Sequence, residues 1–214
     1  MTELIFIIAT LIALLFFYYG TGKRIGVAVF SLLWVVFVGI LSYNDFFKIT
    51  DTIPPRFVIV FAGSLIFVMF SIRKIKSVVV DTRLLLLIHV LRLPVEIGLY
   101  HLFLEKKVPQ IMTFNGWNYD VFFGISAILL FLFSLKKERI IYSKVFLWWN
   151  FAGILSVSAI LLMGIFSAPL PIQQLSFEQP NIAVLEFPYT YLPAVIVPLV
   201  FLSHLLIIKR VIKN

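Results

Sequence analysis

The chain has 214 residues, 62% of them hydrophobic and 13% charged, with a net charge of +8 and no cysteine. A charged fraction about half that of a soluble domain, with a mean hydropathy of +1.07, marks an all-α integral membrane protein and leaves no length for a separate soluble domain. The missing cysteine excludes disulfides, thiolate metal sites, iron–sulfur clusters and covalently attached c-type haem.

The apolar runs predict seven spans in one transmembrane domain, 1–214. The first is 4–19, and its positive charges, Lys23 and Arg24, follow it. A cleaved secretory signal carries them in front, so this segment is read as a retained helix. The second span is 25–43. A loop with Pro54 and Pro55 leads to the third, 57–72, which is followed by Arg73, Lys74 and Lys76. The fourth is 84–104. After Pro109 and the Asn115–Gly116 turn signal comes the fifth, 119–135, closed by Lys136, Lys137 and Arg139. The sixth is 145–167. A proline-rich loop without Lys or Arg separates it from the seventh, 187–208, which ends in Lys209 and Arg210.

Basic residues in short loops set orientation. Thirteen of the 18 Lys and Arg fall on the side of the first, third and fifth loops and the C-terminus, and four on the other side. The expected topology is a seven-helix bundle with its N-terminus outside and its C-terminus cytoplasmic, multi-pass in a bacterial-type cytoplasmic (inner) membrane. The bilayer is the expected partner. The net positive charge follows from this asymmetry, and nucleic acid is not an expected partner.

The fourth span is the unusual one. His89, Arg92, Glu96 and Tyr100 recur at helical spacing and form one polar stripe. A charge at mid-membrane costs about 2.5–3.5 kcal/mol on the insertion scale, so the stripe must face the bundle interior. Pro94 removes a backbone hydrogen bond beside it. Arg92 and Glu96 are four residues apart, which suits an internal ion pair.

Counting residues from each span's end gives depth. His89, Asn150 of the sixth span and His204 of the seventh fall about 6–8 Å from the same membrane face. They are therefore expected in one polar layer, with Ser203, Trp148 and Trp149 nearby. Asp120 is expected at the outer interface, where a helix N-terminus favours a carboxylate.

Three uses of this layer stay open. One is a hydrogen-bonded cluster that fixes packing. The second is a site for a small or amphiphilic ligand formed by His89, Arg92, Glu96, Tyr100, Asn150 and His204, with no cofactor and with Arg92 meeting an anionic or carbonyl group. The third is a b-type haem or a metal ion held by His89 and His204 in a redox or hydrolytic enzyme. The last span has no lysine for a retinal Schiff base and no His-x-x-x-His. Neither Gly-x-Ser-x-Gly, a phosphate loop nor His-Glu-x-x-His occurs in the chain.

Overall fold

The computed structural model describes residues 1–76 and 79–213, and these are helical with no β-strand. The helices are α1 (Thr2–Gly20), α2 (Ile25–Tyr43), α3 (Val58–Lys74), α4 (Thr82–Val90), α5 (Arg92–Leu104), α6 (Asp120–Lys136), α7 (Lys144–Ser167) and α8 (Val197–Ile212). A widened turn over Leu192–Ile196 precedes α8 and is continuous with it. α4 and α5 form one rod, Thr82–Leu104, interrupted at Leu91. The break lies within one turn of Pro94, which cannot donate to the Val90 carbonyl.

Among the described residues, five rods are long and apolar enough to cross a membrane: Thr2–Gly20, Ile25–Tyr43, Thr82–Leu104, Lys144–Ser167 and Leu192–Ile212. α3 and α6 have 17 residues each, or about 25 Å. The chain is therefore an all-helical, multi-pass membrane protein by composition and helix length. The expected boundaries hold within about two residues except at the last span. Residues 187–190 form turns, and the Thr190 hydroxyl donates to the Val184 and Glu186 carbonyls. The helix instead runs on to Ile212, with Lys209 and Arg210 in its last turn, where cations complement the helix dipole.

Local chemistry explains the sharper helix starts. The Asp81 carboxylate accepts from the amides of Arg83 and Leu84, and the Ser143 hydroxyl accepts from that of Phe146, as N-caps do. Several hydroxyls inside helices bond back to the carbonyl four residues earlier, as Thr10, Ser31 and Ser203 do, which satisfies their donors without a neighbouring helix.

The rods differ in burial. Over their apolar windows Leu192–Ile212 is 61% buried and Thr82–Leu104 is 56% buried, against 28–33% for α1, α2 and α7. The two inner rods are thus the two that carry the buried histidines. α8 packs against α3, α4 and α7, and α1 packs along α4 and α5. Leu11, Leu15, Leu33, Val36 and Leu155 point outward, which suits a lipid-facing surface.

Pro198 has no N–H for the Ala194 carbonyl. Trp34 Nε1 donates to that carbonyl at 2.9 Å and Ser64 Oγ at 3.2 Å. Side chains of α2 and α3 thereby replace the missing backbone bond, which a helix in lipid requires. Gly63 lets the Trp34 ring approach: a Cβ there would collide with it.

At one end of the bundle the loops 44–57, 105–119 and 168–191 close into a cap. Glu186 joins them, accepting from Lys107 at 2.8 Å and pairing with Lys48 at 3.5 Å. Asp45 also pairs with Lys48, and this hydrogen bond, with Glu186 adding to it, holds the Lys48 ammonium above its ordinary pKa. Gln179 donates to the carbonyls of Phe103 and Val108. Residues 105–119 lie only partly at the surface. Phe114, Trp117 and Tyr119 are exposed, whereas Met112, Thr113 and Asn118 are buried, so one side of the loop turns inward and brings the start of α6 against α5.

Candidate functional site

The polar groups of five chain segments meet inside the bundle. Arg92, at the start of α5, is 3% exposed. Its Nη1 donates to Asp120 Oδ1 at 3.2 Å and its Nη2 lies 3.2 Å from His204 Nε2. Its guanidinium carbon sits 5.1 Å from the centroid of the Phe123 ring, within cation–π range. Arginine only donates, so His204 Nε2 must accept. The proton of a neutral His204 is therefore on Nδ1, where it is donated to Asn150 Oδ1 at 2.9 Å. Asn150 Nδ2 in turn donates to the Phe146 carbonyl at 2.8 Å. One hydrogen-bonded line thus runs from Asp120 through Arg92 and His204 to Asn150.

His89 stacks on His204 with ring centroids 4.0 Å apart and planes inclined by 26°. Trp149 presents its edge to both rings and donates through Nε1 to Ser126. Neither His89 nitrogen meets a polar atom of the described residues. Gly153 makes room for His204, since a Cβ at that position would strike the imidazole.

The other end of the line is acidic. Asp120 Oδ1 also accepts from Ser156 Oγ of α7 at 2.6 Å, and its carboxylate sits at the positive end of α6. Asn118 ties Asp120 to Glu96. Its Oδ1 accepts the Asp120 amide at 3.0 Å, and its Nδ2 donates to Glu96 Oε1 and to the Met112 carbonyl. Glu96 is 2% exposed, and its Oε2 has no partner among the described residues.

Glu96 and Asp120 line one end of a cavity of about 60 Å³. Most other walls are apolar, among them Phe6, Phe57, Leu99, Leu102 and Ile160, with Asn181 and Tyr189 toward the cap. The volume suits a small polar head group. It is far below the roughly 300–1,000 Å³ of pockets that enclose a whole drug-sized ligand.

His89, Arg92, Asn150 and His204 therefore come together as the depth argument expects, and Glu96 joins them through Asn118 and Asp120. Tyr100 does not. It lies on a different face of α5 from the cavity-lining Leu99 and Leu102 and packs on Phe114 and Phe103. The expected Arg92–Glu96 ion pair is also replaced: the carboxylate on Arg92 is Asp120. Asp120 is buried rather than interfacial, because the 105–119 loop carries the start of α6 inward. Asn118 and Ser156 are the other members that helix spacing does not reveal. The Asn-x-Asp spacing at a helix start is the one local signal for the first.

The stacked histidines do not fit axial ligation of a haem. Their faces are in contact, which leaves no gap for a porphyrin between them. Among the described residues, no group of three or more His, Asp or Glu side chains is placed to hold a metal ion. Compared with protein-family models, with curated proteins and with solved structures, the chain matches none.

Proposed function

We propose that the protein is a seven-span protein of a cytoplasmic membrane that binds or carries a small or amphiphilic ligand at the Glu96–Asp120 end of the buried network. The thirteen-to-four distribution of basic residues supports a cytoplasmic C-terminus and an outward-facing cap. α3 and α6 complete the seven spans, and each is closed by basic residues at its C-terminal end. The observation that carries the ligand reading is the cavity itself. Glu96 lines it, a carboxyl group whose Oε2 has no partner among the described residues, and the other walls are largely apolar.

That geometry selects the head group. Arg92 already engages Asp120 and His204, so it is not the group that greets a ligand. The two carboxyl groups lining the cavity, Glu96 and Asp120, are acceptors, and they suit a hydrogen-bond donor or a cation such as a primary ammonium. Apolar walls suit an attached hydrocarbon.

A head-group series tests this in lipid nanodiscs, read as one-to-one complexes by native mass spectrometry. Dodecylamine is expected to bind at least tenfold more tightly than dodecanol, with dodecanoate weakest. Equal binding of all three, or preference for dodecanoate, would overturn the reading.

A further inference from the structure

A second, apolar groove on the outside of the bundle adjoins the same cavity. It lies between α3 and α7, over α8, and has a volume of about 230 Å³. Pro198 and Phe201 of α8 form its floor, and Leu65 of α3 is exposed at its lip. Phe61, Leu161, Pro193 and Val197 line both the groove and the cavity. The two spaces thus share one wall of four apolar side chains.

The groove is largely apolar. Ser64, one of its two hydroxyl residues, turns its oxygen to the Pro193 and Ala194 carbonyls. The backbone at the shared wall is the widened turn Leu192–Ile196, and widened turns of this kind occur often at functional sites. Here it sets Pro193 and Val197 at the boundary between groove and cavity.

We infer that this groove is a lateral doorway from the bilayer, and that the occupant is a membrane-dissolved, single-chain amphiphile with an amine head. The inference rests on the ligand reading above and adds the source of the ligand and its route. The head group passes Phe61 and Leu161 and reaches Glu96 and Asp120, whose oxygens can accept hydrogen bonds from it. The cavity holds the head alone, so the chain lies in the groove and its end remains in lipid. A water-borne ligand would need no apolar groove adjoining its site.

The test uses two photoactivatable dodecylamines in proteoliposomes, one with a diazirine near the amine and one near the chain terminus. Adducts are mapped by peptide mass spectrometry. In the wild-type protein the amine-end probe is expected to label the cavity lining, such as Met112 or Val184. The chain-end probe is expected to label α3 and α7 around Leu65 and Leu161. Leu161→Trp fills the shared wall and is expected to lower amine-end labelling at least tenfold. Leu161→Ala opens it and is expected to raise the initial rate several-fold, which keeps the test decisive if the tryptophan variant folds poorly. Cavity labelling at the wild-type rate in Leu161→Ala, with the chain-end probe found elsewhere, would overturn the doorway and leave the ligand reading standing. No amine-end label in the wild-type cavity would overturn both.

Discussion

Arg92→Leu is expected to lower stability by about 3–5 kcal/mol, as does removing one member of a buried ion pair elsewhere. The loss leaves the Asp120 carboxylate without its cation and leaves His204 Nε2 without a donor. Asp120→Leu should cost a similar amount, because Arg92 then keeps only His204 and the Phe123 face. Replacing both charged groups with apolar side chains can come close to neutral, so Arg92→Leu/Asp120→Leu should recover much of the loss. Arg92→Leu/Glu96→Leu should recover little, since it leaves Asp120 unpaired. Chemical or thermal unfolding of these variants, the single variant Glu96→Leu and the wild type in one detergent measures both couplings. Greater recovery in the Glu96 double variant would show that the ion pair lies along α5, as sequence spacing alone suggests, and not across to α6.

Asn118→Leu is expected to cost a comparable amount through neutral groups. One side chain satisfies a Glu96 oxygen, the Met112 carbonyl and the Asp120 amide. Each buried group left unpaired costs about 1–3 kcal/mol, so the three sum to roughly 3–9 kcal/mol. Asn118→Asp should recover little, because a carboxylate keeps the acceptor for the Asp120 amide but has no donor for Glu96 or Met112. Limited proteolysis adds a second readout. Asn118 holds one side of the 105–119 loop inward, so cleavage in that loop should rise in both variants. If Asn118→Leu unfolds like the wild type and the loop stays protected, Asn118 does not organise the acidic end.

The helical architecture was legible wherever hydrophobicity decides it. Helix positions follow from the apolar runs, and the inward turn of the fourth span follows from the cost of placing Arg92 and Glu96 in lipid. A common depth for His89, Asn150 and His204 was legible too, because straight rods convert residue number into depth at a fixed rise, but depth alone does not say that their helices are neighbours. The same rule failed for Asp120. Depth counting assumes that a loop lies at the surface, whereas residues 105–119 fold back and begin α6 beside Arg92. Spacing on one helix also favoured Glu96 as the partner of Arg92, because a single sequence carries no sign of which neighbouring helix packs there. Asn118 and Ser156 were hidden for that reason. Tyr100 was included by periodicity alone; its neighbours Leu99 and Leu102 line the cavity while its own ring packs on Phe103 and Phe114.

The central claim is that a ligand meets the unpaired oxygen of Glu96. Difference infrared spectroscopy of the purified protein in lipid, with and without dodecylamine, tests this contact directly. The Glu96 carboxyl band is assigned by its loss in Glu96→Gln. The account predicts that dodecylamine shifts this band in the wild-type protein and that the Gln variant binds at least tenfold more weakly. A saturable amine complex that leaves the Glu96 band unmoved, or that forms equally well in Glu96→Gln, would contradict it.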